Sequence, residues 1–317
     1  MAENRKEYTA TYEYTQATES FDKARNQAIR SRIQNIMNSK RDDLLSFNDV
    51  KEILKPNNQV YLGLRSVPVR LIVGSEGRYR DFNKYFSPRS EFLRARWERV
   101  ARAQIKDIPL PAVQLYEIGG AYFVRDGNHR ISVARSQGVE EIDAEVISLS
   151  SEITITSGMT TDDLKQAVID LEKKIFYEKT LYLELTGDRD LNFTSTGRYD
   201  KIYEHILEHK YFMNLEKDEE IPFSDALVSW YKKVYKPVLK IINEDKLGSN
   251  FPGRSQGDLY LSIIRYWDFI KRKYGDDYSI SAAARKFSHQ YGRGRRSLKD
   301  ILGDFLRKII RNPVMVL

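Results

Sequence analysis

The stretch YFVRDGNHRISVARSQG, residues 122–138, decides how the middle of this chain folds. Its first residues alternate as a β-strand does, and the residues from about 129 onward have the pattern of a short helix that ends at Gly138. Five crowded polar residues, Asp126-Gly127-Asn128-His129-Arg130, lie between the two. A strand that passes into a helix through so polar a turn predicts a functional site at that turn.

The polar turn has the residues that an anion site needs. A tight turn aims the first backbone N–H groups of a helix at one point, and the helix dipole makes that point attractive to anions. Gly127 permits a positive φ, and Asn128 is suited to cap the helix. His129 and Arg130 add donors, and an arginine can hold a phosphate through two parallel hydrogen bonds. The turn is therefore a candidate phosphate-binding site.

Asp126 needs a task of its own because its charge would repel a phosphate. Three tasks remain open: it holds Mg²⁺ beside a nucleotide, it orients His129 or Arg130, or it takes a proton from an attacking hydroxyl. A simpler interpretation also stays open, since Asp-Gly-Asn is common in ordinary turns and both following residues would then be exposed.

The composition is that of a soluble globular protein, with 41% hydrophobic and 31% charged residues among 317. The absence of cysteine excludes disulfides, thiol catalysis and cysteine-ligated metals. A formal charge of +7 favours anionic partners such as nucleotides or nucleic acid. No apolar run is long enough to span a bilayer, and the N-terminus lacks the pattern of a signal peptide, so a cytoplasmic location without membrane contact is expected.

The chain is predicted to contain an α/β domain between two helical regions. The runs VPVRLIVG, AVQLYEIGGAYFVRDG and IDAEVI predict strands separated by helices. The Gly119-Gly120 pair predicts a two-residue hairpin turn, and the third run places Ile142, Ala144 and Val146 on one face. The predicted domains are a helical extension (1–58), the α/β domain (59–150) and a helical C-terminal domain (151–317).

Both flanking regions show the three- and four-residue spacing of amphipathic helices. The N-terminal region has an apolar stripe opposite a face rich in Lys and Arg: Phe21, Ala24, Ala28, Ile29, Ile33, Ile36 and Met37. In the C-terminal region the first helix is predicted over 160–185, with Thr160 or Thr161 as its cap. Further helices are predicted at about 200–215, 223–243, 257–274, 280–291 and 297–311.

Residues 60–147 resemble the ParB/sulfiredoxin superfamily. The resemblance rests on a strand, a helix after a basic turn, the strand pair LPAVQLYEIGGAYFVRDGNHR, a short helix and the strand VEEIDAEVI. The turn is most similar to the Asp-Gly-His-His-Arg sequence of ParB-like free serine kinases. The helical segments at 198–213, 228–245 and 251–275 are similar to the region that follows a ParB-like domain in a group of uncharacterised bacterial proteins, which brings no activity with it.

The resemblance implies an α/β ParB/sulfiredoxin-like domain, a small mixed sheet with helices, followed by an all-α C-terminal domain. It implies that Gly127, Asn128, His129 and Arg130 contact nucleotide phosphates and that Asp126 matches the acid that precedes them. It also places the loop GSEGRYRDFNKYF, residues 74–86, at the far side of the pocket. The candidate residues of this loop are Arg78, Arg80 and Asp81.

The function expected from this reasoning is nucleotide binding, with ATP, ADP or CTP as ligand and Mg²⁺ at Asp126. The expected reaction is phosphoryl transfer or nucleotide hydrolysis, for which Asp126, Asp81 and His129 are the candidate catalytic residues. The missing cysteine excludes sulfiredoxin activity, and ISVAR replaces the second arginine and the Trp-Arg of partitioning ParB. A DNA-associated regulator is the alternative, and a homo-oligomer is compatible with either.

Three other patterns in the sequence each allow a functional and a structural interpretation. His205 and His209 lie four residues apart on a predicted helix, but no third zinc ligand accompanies them. FPGRSQGD, residues 251–258, resembles a second anion-binding helix entrance at Arg254, or an ordinary Pro-Gly turn. Residues 279–300 are compatible with a helix-turn-helix carrying Arg293, Arg295 and Arg296, although a packed helix with a basic rim fits them better.

Overall fold

The computed structural model describes residues 2–37, 43–156, 158–215, 219–274 and 278–292. The chain divides into two compact units, Met1–Val168 and Ile169–Leu317. The predicted helix at 297–311 and the predicted basic turn at 293–296 lie outside the described residues. No helix in the described part of the chain has the length and apolar character needed to cross a membrane.

The first unit combines helices with a six-stranded mixed sheet. Its strands follow the order β1-β3-β5-β4-β6-β2, with β5 parallel to β3 and antiparallel to β4. The elements are α1 (Ala2–Met37), β1 (Leu45–Ser46), α2 (Phe47–Leu54), β2 (Gln59–Pro68), β3 (Ile72–Ser75), α3 (Arg94–Ile105), β4 (Val113–Ile118), β5 (Ala121–Asp126), α4 (Asn128–Ser136), β6 (Glu141–Leu149) and the start of α5 (Thr161–Thr180).

Several local predictions for this unit are confirmed. Gly119 and Gly120 both have positive φ between β4 and β5, as a two-residue hairpin turn requires. Ala144 and Val146 of β6 are buried on one face. The predicted helical extension is not wholly helical, because β1 lies inside it and pairs with β3.

The helix α1 is only partly the packed helix that its pattern predicts. Phe21, Ala24 and Ala28 are buried, and Phe21 packs edge-on against Trp97 of α3 at 5.5 Å between ring centroids. Ile29 and Ile33 are exposed. The predicted stripe is therefore wrong at these two positions, because the burial follows only one part of the helix surface.

Two side chains of α4 fix the helix against the rest of the unit. Ser132 accepts a hydrogen bond from Trp97 Nε1 at 2.8 Å and donates one to the carbonyl of Phe86 at 2.6 Å. Arg135 donates to the carbonyls of Val69 at 2.9 Å and Ile72 at 2.6 Å. These hydrogen bonds anchor the middle and the C-terminal part of α4 to the rest of the unit.

The second unit is helical wherever it is described. It contains the rest of α5, then α6 (Tyr182–Thr186), α7 (Arg198–Asn214), α8 (Phe223–Trp230), α9 (Lys236–Glu244), α10 (Gln256–Tyr274) and α11 (Ile280–Tyr291). Its core is rich in aromatic rings, including Tyr182, Trp230 and Tyr260.

Two helices predicted as continuous are interrupted. The helix predicted at 160–185 stops at Thr180, because Leu181 adopts the left-handed conformation. The helix predicted at 223–243 contains a π-helical turn at Tyr231–Tyr235, just before Pro237. Proline has no N–H, so the regular hydrogen-bond ladder cannot pass through it unchanged. The cap at Thr160 is confirmed: its hydroxyl accepts from the Asp163 N–H at 3.2 Å.

Candidate phosphate-binding site

The predicted strand-to-helix join exists, with β5 ending at Asp126 and α4 beginning at Asn128. The cap position is held by Gly127 at φ 111°, and no side chain caps the helix. Asn128 therefore does not cap α4, although its residue type allows it, because it is the first residue of the helix. A Cβ at position 127 would lie 2.6 Å from Cγ1 of Val113, so both the backbone angle and the packing require glycine.

The join opens into a cleft of about 620 Å³. All five join residues line it, and so does Arg78 from the predicted far-side loop. Arg80 and Asp81 do not. The other lining residues are Gly77, Arg96, Val100, Leu110, Pro111 and Arg125. The structure thus brings together the join and one of the three residues predicted opposite it.

Two side-chain atoms at the start of α4 are buried without a partner. The Oδ1 of Asn128 and the Nδ1 of His129 make no hydrogen bond with any described residue. The two residues are 8% and 5% exposed, respectively. Buried polar atoms are nearly always paired in folded proteins, so an unpaired pair beside an open cleft indicates a place for a ligand or ordered water.

His129 is uncharged at neutral pH. Its pKa is lowered from the ordinary 6.5 to about 4, first by burial and then by the nearby charges of Arg96 and Arg78, against the opposing effect of Asp81. Its ring packs edge-on against Phe82, with 5.5 Å between centroids. The interpretation of His129 as an exposed helix residue is therefore wrong. A neutral imidazole offers one donor and one acceptor, which suits hydrogen bonding more than charge neutralisation.

The guanidinium of Arg130 is largely occupied by hydrogen bonds within the protein. Its guanidinium donates to the carbonyls of Pro111 and Ala112, the latter at 3.0 Å, and to the carboxylate of Asp126. The Arg130 side chain is mostly buried, whereas Asp126 is exposed. Among the three tasks left open for Asp126, this geometry supports orientation of Arg130. Arg130 in turn holds the backbone at Pro111 and Ala112 in place, and Pro111 lines the cleft.

The far-side loop pairs its own charges. Arg78 and Asp81 form an ion pair at 3.1 Å. Arg80 lies over the ring of Tyr79, at 5.5 Å from the centroid. Only Arg78 of these three therefore presents its side chain to the cleft. The catalytic role expected for Asp81 and the phosphate contact expected for Arg80 remain predictions without support from the cleft geometry.

Two arginines of the cleft were missed by sequence reasoning. Arg96 lies on α3 and makes no hydrogen bond or ion pair with any described residue. Arg125 precedes the join on β5 and lies over the ring of Tyr116, at 5.8 Å from the centroid. Arg125 could have been noticed because it adjoins the motif. Arg96 gave no such signal, since it is one of several arginines on a charged helix.

The residues present fit a protein-held Mg²⁺ poorly. Asp126 is the single carboxylate among the lining residues, and Arg130 already binds it. Elsewhere in the described chain no three side chains of His, Cys, Asp or Glu form a group that could hold a metal. Any Mg²⁺ would take most of its oxygen ligands from bound phosphates and water. The assignment of Asp126 as a metal ligand stays a prediction.

The other predicted patterns are occupied by contacts within the protein. The Nδ1 of His205 lies 3.4 Å from the hydroxyl of Tyr260, and the Nε2 of His209 lies 3.0 Å from Oγ of Ser229. Both histidines therefore join helices to each other. At the start of α10, Asp258 accepts hydrogen bonds from the backbone and hydroxyl of Ser255. This carboxylate occupies the helix N-terminus, which favours the ordinary Pro-Gly turn over an anion site at Arg254, the two interpretations left open for this stretch.

Comparisons with known proteins add little to this geometry. No family model matches the sequence, and no curated protein is significantly similar to it. One solved structure, titled as the C2221 form of a Pnob8-like ParB-N domain, is similar at 12% identity over 80% of this chain and 99% of that one. Its TM-score is 0.20. A TM-score this low assigns neither a fold nor a function to the site.

Proposed function

We propose that the cleft at the start of α4 binds the phosphates of a nucleotide. The observation that carries this proposal is a group of buried, unpaired polar atoms at an uncapped helix N-terminus, faced by several arginines. Of the two unpaired atoms, Nδ1 of His129 can donate to a phosphate oxygen, whereas Oδ1 of Asn128 accepts and so suits a hydroxyl or a water. Arg78, Arg96 and Arg125 supply positive charge from three other elements. Helix N-termini and guanidinium groups are the common means by which proteins hold phosphate.

An apolar wall supports a nucleotide over a bare phosphate ion. Val100, Leu110 and Pro111 line the cleft together with the arginines. Such a wall provides a surface for the sugar or base while the charged side holds the phosphates. The similarity of the join to that of ParB-like free serine kinases also favours ATP, ADP or CTP as the ligand.

Phosphoryl transfer has weaker support than binding. Asp126 is held by Arg130, and Asp81 by Arg78. His129 has a pKa of about 4, which is far from the operating pH of an efficient general base. The proposed function is therefore nucleotide binding, and phosphoryl transfer or hydrolysis at these residues is a further expectation to be tested once a ligand is known.

The test is equilibrium binding of ATP, ADP, CTP and GTP to the full chain, each measured with and without Mg²⁺. We expect at least one nucleotide to bind and Arg96→Ala to weaken it about tenfold or more, since a charge-assisted contact to phosphate is lost. Arg99→Ala is the matched control, because Arg99 is exposed on the same helix and does not line the cleft. Equal affinities for both variants would contradict the proposal.

The same protein preparation distinguishes the DNA-associated alternative. Duplex binding that falls steeply with salt and is unchanged in Arg96→Ala would support a nucleic-acid surface elsewhere on the chain. Nucleotide binding that is lost in the same variant would support the cleft.

A further inference from the structure

We infer that the cleft binds its ligand as a metal-free polyphosphate, with arginine side chains in place of Mg²⁺. This inference rests on the proposed function and concerns how the phosphate charge is neutralised. It specifies the ligand class as a triphosphate chain, either free or carried by a nucleoside.

The charge of the cleft favours an anion of several charges. Four arginines, Arg78, Arg96, Arg125 and Arg130, are among the residues that line it, together with one acidic residue, Asp126. These arginines come from four different elements of the first unit: the loop after β3, α3, β5 and α4. Groups spread in this way can contact phosphates that follow one another along a chain.

The arginines differ in how free they are. Arg96 and Arg125 have no hydrogen bond or ion pair with any described residue, and Arg125 lies over the ring of Tyr116. Arg78 shares its charge with Asp81 at 3.1 Å. Arg130 is committed to two carbonyls and to Asp126. Arg96 is therefore the principal phosphate contact in this inference, and Arg125 adds positive charge from its position over Tyr116.

The carboxylate of Asp126 is not free to hold a cation. A Mg²⁺ at this position would have to displace the guanidinium of Arg130 from Asp126. That guanidinium also ties down the carbonyls of Pro111 and Ala112, so the exchange would leave a positive charge beside the metal. Two cations competing for one carboxylate repel each other, which disfavours the metal-bound state.

Mg²⁺ bound to the ligand would also compete with the arginines. The metal takes oxygens of the phosphate chain and lowers the negative charge that the guanidinium groups attract. Free nucleoside triphosphate should therefore bind more tightly than its Mg²⁺ complex. This order is the opposite of the one expected if Asp126 held the metal.

Isothermal titration of the full chain tests the inference, with ATP, CTP and inorganic tripolyphosphate as probes. Each probe is titrated in EDTA and in excess Mg²⁺ at equal ionic strength. We expect dissociation constants at least about fivefold lower in EDTA. Tripolyphosphate binding as tightly as the nucleotides identifies the phosphate chain as the ligand, and tighter binding of one nucleotide adds a contribution from its nucleoside.

Tighter binding in Mg²⁺ than in EDTA would overturn this inference and leave the proposed nucleotide site standing. Absence of binding in both buffers would overturn the inference together with the proposed function.

A variant pair provides a second readout. Asp126→Asn keeps an oxygen that accepts from Arg130 and removes a negative charge next to the phosphates, so affinity in EDTA should rise several-fold. If Asp126 held a metal, the same change would weaken binding in Mg²⁺. Asp143→Asn on β6 is the matched control, because Asp143 is exposed and does not line the cleft. A loss of affinity in Asp126→Asn with no change in the control would count against the inference.

Discussion

Two helix N-termini in this protein each have backbone N–H groups that lack an intrahelical acceptor. They differ in how these groups are satisfied. At the start of α10, Ser255 and Asp258 form reciprocal hydrogen bonds, and Asp258 also accepts from the backbone and hydroxyl of Thr194 at 3.1 and 2.7 Å. At the start of α4, the cap residue is Gly127 and has no side chain to offer. The first terminus is capped by these side chains, although Oδ1 of Asp258 is buried without a partner among the described residues, whereas the second has no side-chain cap.

The difference concerns how a helix start can be recognised as a candidate ligand site. Both stretches contain a glycine, a polar residue and an arginine near a predicted helix start, so an anion site is one interpretation of each. The first contains an acid in the first helical turn, which neutralises the helix dipole itself. The second buries Asn128 and His129 with unpaired atoms and has arginines nearby. Because Oδ1 of Asp258 is also buried and unpaired, unpaired atoms alone do not separate the two termini; the acid in the first turn of α10 and the arginines beside α4 do.

The largest effect on stability is expected from adding a side chain at Gly127, the cap position of α4. Gly127→Ala should lower the free energy of unfolding by about 3 to 4 kcal/mol, because the new Cβ combines a left-handed backbone with a close contact to Val113. Chemical denaturation measures this change. Gly138→Ala is the control: its φ is +73° but nothing lies within 4 Å of the new Cβ, so only the backbone strain applies. Equal losses of unfolding free energy in both variants would show that the Val113 side chain moves away from the new Cβ.

The next effect is a dependence of stability on pH at the start of α4. The pKa of His129 is about 4 in the folded protein and near 6.5 when exposed, so the unfolded chain binds the proton more readily. Stability should therefore be highest above pH 6.5 and decrease as the pH falls toward 4, by up to about 3 kcal/mol. Denaturation curves at several pH values measure the slope.

His129→Gln should flatten that slope, since glutamine does not titrate. A saturating polyphosphate should also reduce it, because a bound anion favours the protonated ring. A slope that is the same in wild type and variant would assign the pH dependence to other groups.

A smaller effect is expected at the start of α10. Asp258→Ala should lower the free energy of unfolding by about 2 kcal/mol, because the hydrogen bonds from Ser255 and Thr194 lose their acceptor. It should leave nucleotide affinity unchanged. Asp225→Ala is the control, since Asp225 lies exposed in the first turn of α8. A loss of ligand affinity in Asp258→Ala would contradict the assignment of this terminus as structural.

The smallest expected effect is a difference in nucleotide affinity between variants of two arginines in the far-side loop. Arg78→Ala should weaken nucleotide binding by about fivefold, because Arg78 lines the cleft with its charge partly shared with Asp81. Arg80→Ala should leave the affinity unchanged, since its side chain lies over Tyr79 outside the cleft lining. Fluorescence titration with a labelled nucleotide measures both. The reverse order would show that Arg80 reaches the ligand.

The sequence by itself determined the local features of this protein. Alternation and β-branched runs located β3 to β6 but not β1 or most of β2, Gly119-Gly120 predicted the hairpin turn between β4 and β5, and the polar join at 126–130 was placed between a strand and a helix. These features depend on residues that are neighbours in the chain, so periodicity and turn chemistry reveal them.

Only the tertiary structure decided which of these residues share a cleft and which are already paired. Arg96 lines the cleft at the join from a helix some thirty residues earlier in the chain. The Arg130 guanidinium donates to the carbonyls of Pro111 and Ala112. The pairing of Asp258 with Ser255 and Thr194 favours an ordinary turn at one candidate site, while the burial of Asn128 and His129 leaves the other open. Such outcomes depend on distances between residues far apart in sequence and on burial, which follow from packing and not from local pattern.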